Sequence, residues 1–305
     1  MILLALLLST APVLWKDPGP VAEIDFLRPA GGAHQPALPL RFLEEDTAGT
    51  SAKVLVRDAN GTTWRIKGGP EARAEAFVTR LAAALGYFGE PTVFMAKGRI
   101  EGVKHTLGRA SYFVDQDGSF TWAALEYRDS KARFLPEVLW RWDDNPFVGT
   151  HELNGLKILI MLVSNWDNKD ARDIGRGSNT AVLEVNGQRV YFVTDWGQSL
   201  GAWGSLWRRS NWKCADFARQ TPAFIRRVAR DRIVFGYQGQ HSASFWQDIK
   251  VSDAKWLMNR LGAITDAQIR TGLLASGATP AEEDCFCREL RKRIERLREV
   301  SNAVP

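Results

Sequence analysis

The pattern of hydrophobic and polar positions divides the chain into a strand-rich first part and a largely helical second part. Two strand-like runs, at residues 53–58 and 62–67, flank Asn60-Gly61, a strong signal for a tight hairpin turn. Further strands are predicted at residues 92–95, 111–114 and 120–127. The first part of the chain is therefore predicted to consist mainly of strands.

Helical spacing of apolar residues is found first between Ala74 and Leu85, directly after the hairpin. Pro70 suits the first turn of this helix, and Gly86 ends it. A second helix is predicted over residues 152–163, because the run LKILIMLV at its end is almost entirely apolar. Such a helix has to be buried.

Beyond Arg128 the composition changes, and most of the chain is predicted to be helical. One hairpin interrupts the helices, with strands at residues 180–185 and 189–194 around the turn Asn186-Gly187. Thr265 and Thr279 each precede a Gln or Glu by three positions, which is the capping-box signal for a helix start.

These elements predict an α+β fold with two lobes. Residues 16–40, rich in Pro, Gly and Ala, form an irregular lead-in. A strand-rich N-lobe with one helix follows at residues 41–128, and a mainly helical C-lobe at residues 129–305. A chain of 305 residues is long enough to give two such lobes a sizeable core.

The first 15 residues contain an apolar stretch of the length of a signal-peptide core, too short to span a bilayer. We expect export to the periplasm or the exterior if this stretch is a signal peptide, and a cytoplasmic protein otherwise. The stretch lacks the basic residues that usually precede such a core, and an N-terminal strand is the alternative. No other segment is predicted to cross a membrane.

Composition narrows the ligand class only slightly. The net charge of +5 suits anionic ligands such as nucleotides, but the basic residues are dispersed and no nucleic-acid-binding motif is present. Cys285 and Cys287 are too close to pair within a helix, and no second pair completes a zinc site. The sequence therefore predicts neither a disulfide framework nor structural zinc.

Candidate chemistry lies in two polar loops that follow apolar runs. SNWDNKDARD, residues 164–173, follows the buried helix, and TDWG, residues 194–197, follows a predicted strand. In the first loop Asp167 can accept a proton from an attacking hydroxyl, and Lys169 can neutralise charge on a moving phosphoryl group. In the second, Asp195 is a candidate Mg²⁺ ligand before a glycine that permits a sharp turn.

Two further groups could hold a nucleotide. Lys67 ends a strand and can contact phosphates as a point charge, with Glu75 on the following helix as its partner and Glu71 as a weaker rival. In the loop TAGTSAK, the residues able to offer N–H and hydroxyl groups to phosphate are Gly49, Thr50 and Ser51.

In this order of residues the chain resembles the protein-kinase-like superfamily, especially its atypical bacterial branch with the HipA-like kinases. The resemblance spans roughly residues 45 to 200 and implies a kinase-like two-lobe fold that uses ATP and Mg²⁺. It implies Lys67 on the ATP phosphates, Glu75 as its partner, Asp167 as catalytic base and Asp195 on the metal. Uncharacterised bacterial proteins with an NWD-x-KD loop look most similar.

The chain departs from the kinase pattern in three places. Arg172 stands five residues after Asp167, where kinases have an Asn that binds a second metal, and Asp173 is the candidate replacement. The usual glycine-rich loop is absent, with TAGTSAK as the nearest substitute. Glu75 follows Lys67 by only eight residues, closer than in eukaryotic kinases.

Three functions are compatible with these residues. The first is an ATP- and Mg²⁺-dependent phosphotransferase acting on an unknown hydroxyl acceptor, either a protein or a small molecule. The second is a pseudokinase that binds a nucleotide or a partner protein without catalysis, which Arg172 favours. The third is a kinase fold that transfers another group, such as a nucleotidyl group.

Overall fold

A computed structural model describes residues 10–29, 35–47, 51–104, 106–204, 209–240 and 245–303 of the chain. Within these ranges the chain has the predicted α+β architecture, with a strand-rich N-lobe and a mainly helical C-lobe. The elements follow one another in the order that the resemblance to the kinase-like superfamily implies.

The N-lobe is built on a closed five-stranded barrel in the order β2-β3-β4-β6-β5. Parallel pairing of Leu40 with Ile100 closes it, and the other neighbours are antiparallel. Alternate side chains such as Trp64 and Ile66 fill its interior, so that the residues between them face outward. The strands are β2 (Leu40–Asp46), β3 (Lys53–Arg57), β4 (Thr63–Gly68), β5 (Thr92–Glu101) and β6 (Ser119–Arg128).

Helix α1 (Glu71–Ala84) connects the two lobes through its packing. It lies against β5 and β6 of the barrel. However, its apolar residues Phe77, Val78 and Leu81 belong to the large core of the C-lobe rather than to the barrel core. The position of α1 is therefore fixed by both lobes.

The C-lobe combines helices with a four-stranded sheet in the order β1-β9-β8-β7 and a separate β10–β11 hairpin. Its strands are β1 (Thr10–Val13), β7 (Ala132–Phe134), β8 (Thr180–Val185), β9 (Gln188–Val193), β10 (Ile225–Ala229) and β11 (Arg232–Phe235). Its helices are α2 (His151–Leu162), α3 (Cys214–Gln220), α4 (Val251–Leu261), α5 (Asp266–Ala275) and α6 (Pro280–Asn302).

Helix α2 is the buried helix that the run LKILIMLV predicts, and almost all of its residues are shielded from solvent. The Thr150 side chain caps its start by accepting from the Leu153 N–H. At its other end the fully buried Arg293 of α6 donates to the Leu162 carbonyl (2.8 Å) and the Ser164 hydroxyl (2.8 Å). Arg293 thus satisfies a helix carbonyl that would otherwise have no partner.

Several predictions about elements were wrong. Residues 111–114 are not a strand, since residues 109–112 form a 3-10 turn whose N–H groups are held by the Glu45 carboxylate. The prediction missed β2, β7 and the β10–β11 hairpin, so the C-lobe has more than one hairpin. Short strands and charged strands carry too little hydrophobic pattern to be recognised before their partners are known.

The N-terminal residues from Thr10 onward take part in the fold. Strand β1 pairs in parallel with β9, and the Trp15 indole donates to the Leu85 carbonyl at the end of α1 (2.7 Å). Residues 1–9 of the predicted signal peptide lie outside the described residues. Among the described residues no helix is long and apolar enough to cross a membrane.

A disulfide joins Cys214 of α3 to Cys285 of α6, with a Cα–Cα distance of 6.2 Å. The sequence did not predict this bond, because its partners are 71 residues apart and only the fold brings them together. Cys287, two positions further on, is a buried free thiol.

Reduction of the Cys214–Cys285 bond should lower the free energy of unfolding by about 4 kcal/mol, since the bond closes a long loop in the unfolded chain. Urea denaturation with and without dithiothreitol measures the difference. Cys287→Ala should keep the dependence on reductant, whereas Cys285→Ser should abolish it. Equal midpoints in both conditions would contradict the bond.

Candidate active site

Lys67 lies at the end of β4 with its side chain on the outer face of the barrel. Its ammonium group contacts the Glu126 carboxylate of β6 at 2.6 Å, and both side chains are buried. Burial opposes the charge of Lys67, but Glu126, followed by Glu75 and Asp195, outweighs it and raises the pKa of the lysine. Lys67 is therefore a fixed positive charge in the cleft between the lobes.

Glu126, rather than the predicted Glu75, is the ion-pair partner of Lys67. Burial alone would raise the pKa of Glu126, but Arg65 and Lys67 lower it to about 2. Sequence reasoning missed this residue because its position opposite Arg65 follows from the β4–β6 register. The signal available in the sequence was the position of an acidic residue, Glu126, among apolar residues of a predicted strand.

Glu75, the predicted partner, acts on Lys67 through its charge and also holds the second candidate loop. Its buried carboxylate accepts the backbone N–H of Trp196 (2.9 Å), which lies in the TDWG loop. Burial raises the pKa of Glu75, opposed by the charge of Lys67. Glu75 therefore connects α1 directly to the loop that carries Asp195.

The loop after α2 begins at Ser164, whose φ of 51° turns the chain sharply away from the helix. Asn165, fully buried, then connects the two candidate loops. Its side chain accepts from the Asp167 N–H (3.2 Å) and donates to the Asp195 carbonyl (3.0 Å). The two loops that the sequence singles out are thus held together by one amide side chain.

Asp167, the predicted base, is largely buried and lies beside Lys169. Its Oδ2 contacts Lys169 at 3.3 Å, while its buried Oδ1 accepts no hydrogen bond from a described residue. Burial raises the pKa of Asp167, Lys169 opposes the increase, and Asp195 adds to it. A carboxylate with a raised pKa is a better proton acceptor than an exposed one.

The carboxyl groups of Asp195 and Glu71 interact with each other beside the TDWG loop. Asp195 Oδ1 accepts the Gly197 N–H (2.9 Å), and Gln198 donates to Glu71. A β-carbon on Gly197 would lie 2.9 Å from the Glu71 Cβ, so this position requires glycine. Burial, followed by the charge of Asp195, raises the pKa of Glu71 to about 7.

Asn179, which the sequence analysis did not single out, belongs to the site. Its amide donates to the Asp167 carbonyl, and its backbone N–H donates to the Lys169 carbonyl (2.8 Å). It lines the same cavity as Lys67 and Asp195. The 3-10 turn at residues 171–176 separates it from the catalytic loop, so the spacing of the kinase pattern does not find it.

Arg172 and Asp173 lie on that intervening turn rather than in the cavity lining. The Arg172 guanidinium donates to both oxygens of the fully buried Asp170, at 2.9 and 2.7 Å. Asp170 in turn accepts the Trp142 N–H (3.2 Å). Arg172 therefore stabilises the loop from the side away from the cleft.

A cavity of ≈ 410 Å³ lies between the lobes beside these groups. Basic side chains from the N-lobe line it, together with Ser51, which is the one of the three candidate phosphate-binding residues inside the described ranges. Gly49 and Thr50 lie outside the described residues. The basic lining residues are Lys53, Arg65, Lys67 and Arg128.

A metal ion at this site would have few protein ligands. The described residues contain no group of three or more His, Cys, Asp or Glu side chains arranged to hold one. The available oxygens belong to Asp195, Glu71 and the Asn179 amide. This set fits a hard divalent cation that completes its coordination with phosphates and water.

Comparison with known proteins gives a limited result. No protein-family model matches the chain, and no curated protein matches it either. Two solved structures of the Golgi casein kinase are similar to it, one of them with Mn and ADP bound. The first shows 12% identity and a TM-score of 0.42, and the second 13% and 0.40. Each alignment covers 89% of this chain and 74% of the other.

Glu71→Gln should stabilise the metal-free protein at neutral and alkaline pH. The Glu71 pKa is about 7 in the folded protein and near 4.3 when unfolded, so its contribution to stability is lost as pH rises between these values. We expect the variant to melt several degrees higher at pH 8, a gain of up to about 3–4 kcal/mol.

The measurement is a series of melting temperatures from pH 4 to pH 8 in the presence of EDTA. At pH 4 the two proteins should melt at nearly the same temperature, because Glu71 is then mostly protonated in both states. A constant difference across the series would show that Glu71 does not titrate as described.

Proposed function

We propose that the protein is a phosphotransferase that uses ATP and a divalent cation, Mg²⁺ or Mn²⁺, to phosphorylate a hydroxyl group. The observation that carries this proposal is the convergence of Lys67, Asn179 and Asp195 on one cavity, with Asp167 beside it. Asp167 is joined to Asn179 by a hydrogen bond, and the charge of Asp195 acts on its carboxyl group. Lys67 lies on β4, and Asp167 lies in the loop that follows the buried helix α2. Asn179 directly precedes β8, and Asp195 follows the end of β9. The acceptor is a protein or a small molecule.

The donor phosphates would lie against the N-lobe wall of the cavity. Lys67 holds a fixed positive charge there because Glu126 pins its ammonium group. Asp195, Glu71 and Asn179 would hold the cation, which when bound supplies charge neutralisation for the β- and γ-phosphates. Glu75 keeps the Asp195 loop in place through the Trp196 N–H.

A carboxylate of the chain itself takes up the proton of the acceptor hydroxyl. The acceptor oxygen bonds to the γ-phosphorus as the bond between that phosphorus and the β–γ bridging oxygen breaks, which leaves ADP. The hydroxyl proton passes to the Asp167 carboxylate. Lys169, 3.3 Å from Asp167, neutralises charge on the transferred group.

The pseudokinase alternative depended on Arg172 at the usual Asn position. In the structure Arg172 pairs with Asp170, and Asn179 lines the cleft instead. We infer that Asn179 serves in place of the usual Asn, which makes Arg172 compatible with catalysis. Assignment to the HipA-like branch depends only on the order of residues in the sequence, and it stays a prediction.

Export is also part of the proposal. Stable disulfides form mainly in oxidising compartments, so the Cys214–Cys285 bond supports folding outside the cytoplasm. Removal of a signal peptide by cleavage within Thr10–Val13 would cut strand β1. The N-terminus of the mature protein is therefore an informative measurement. Mass spectrometry of protein secreted by the native host would locate it.

Asp167→Asn should abolish phosphoryl transfer while leaving nucleotide binding intact, because it removes the base but not the phosphate contacts. We expect turnover to fall by at least 100-fold, the usual contribution of a general base. ATP hydrolysis and transfer to a peptide or small-molecule library measure activity, and thermal shift with ATP and Mg²⁺ or Mn²⁺ measures binding.

Asp195→Asn is the matched control, since it should remove the metal-dependent part of the thermal shift. All proteins should retain residues 10–15, which pack in the fold. Absence of any nucleotide-dependent shift in the unaltered protein would reject the phosphotransferase. Full activity of Asp167→Asn would reject its role as base.

Asn179→Ala should weaken metal binding and turnover, whereas Asp173→Ala should change neither by more than a few-fold. The reason is that Asn179 lines the cleft and Asp173 does not. Titration of Mn²⁺ in the presence of ATP, followed by calorimetry, compares the two variants. If Asp173→Ala weakens metal binding more than Asn179→Ala does, Asp173 is the second metal ligand instead of Asn179.

A further inference from the structure

The cavity between the lobes has two chemically different ends. Lys67 and Asp195 mark the reactive end. Arg65 lies two residues back along β4, about 7 Å away at the usual rise per residue, with Arg128 beyond it on β6. A nucleotide with its terminal phosphate at Lys67 would therefore extend towards Arg65.

Arg65 is held rigidly at this second end. Its Nε donates to Glu126 and its Nη2 to Glu90, whose other oxygen accepts from Arg128. Burial opposes its charge, but Glu126 and Glu90 outweigh burial and raise the pKa of Arg65. With two edges of the guanidinium engaged by carboxylates, the group can offer the cavity its flat face.

The C-lobe lines the same cavity with polar and apolar groups. Its apolar side chains are Phe134 on β7, Leu139 in the following loop and Ala181 on β8. Phe134 is 43% exposed. A cavity lined by a guanidinium and by apolar groups suits a flat, partly polar ring.

We propose that Arg65 is a specificity-determining residue of the donor site, where its guanidinium stacks on the nucleobase while Phe134, Leu139 and Ala181 line the same cavity. This inference depends on the proposed function and identifies what holds the base end of the donor. Guanidinium groups stack on aromatic rings readily, whereas an ammonium group has no planar face.

The charge balance at this end favours a base over phosphate. Arg65 and Arg128 are already paired with Glu126 and Glu90, so an added phosphate would meet two carboxylates as well as two cations. A neutral ring meets no such repulsion. At the reactive end Lys53 and Lys67 lie opposite each other across β3 and β4 and suit phosphate better.

Arg65→Lys tests the proposal, because it keeps the positive charge beside Glu126 and removes the planar face. Calorimetry would compare three probes with a divalent cation present: ATP, adenosine and inorganic tripolyphosphate. We expect ATP and adenosine to bind about tenfold more weakly, since stacking on a side chain is worth about that much, and tripolyphosphate to bind unchanged.

Lys53→Met is the matched control at the other end of the cavity. It should weaken ATP and tripolyphosphate and leave adenosine unchanged. Equal weakening of tripolyphosphate and ATP by Arg65→Lys would overturn the proposal by placing phosphates at Arg65. No change with any probe would overturn it as well, provided that the variant keeps its melting temperature.

The same titrations separate this inference from the proposed function. If the unaltered protein binds neither ATP nor tripolyphosphate, the phosphotransferase itself is rejected, and the stacking role with it. If tripolyphosphate binds and adenosine does not, the phosphate site stands and only the role of Arg65 is rejected.

Discussion

The hydrogen bond from the Trp196 N–H to the buried Glu75 carboxylate is the contact on which the site depends. It joins α1 to the loop that carries Asp195. Because α1 packs into the core of the C-lobe and also lies against the barrel, this bond links the Asp195 loop to a helix that contacts both lobes. Lys67 and Asp195 face the same cavity as a result.

The cleft concentrates charge that the fold itself only partly balances. Glu75, Glu126 and Lys67 are all buried. Both carboxylates raise the pKa of Lys67, and Lys67 lowers the pKa of each carboxyl group. Burying a charge is costly unless it is paired, so such a cluster is expected where a ligand completes the balance. Two phosphates and a divalent cation would add both signs of charge between Lys67 and Asp195.

Several parts of the site were predictable because their signals are local. A polar loop directly after a largely apolar helix singled out Asp167 and Lys169 as candidates, and a strand followed by D-x-G singled out Asp195. Hairpin turns at Asn60-Gly61 and Asn186-Gly187 gave the strands around them, since these turns depend on adjacent residues alone. The capping boxes at Thr265 and Thr279 were correct for the same reason.

The sequence by itself determined the residue types, their order and the α+β class, because periodicity and turn signals act over a few neighbouring positions. Only the tertiary structure decided the partners. Glu126 pairs with Lys67 through strand register, Asn179 reaches the cleft beyond an inserted turn, and Cys214 meets Cys285 across 71 residues. Contacts between distant residues follow from how the elements pack, and the local pattern along the chain does not encode that packing.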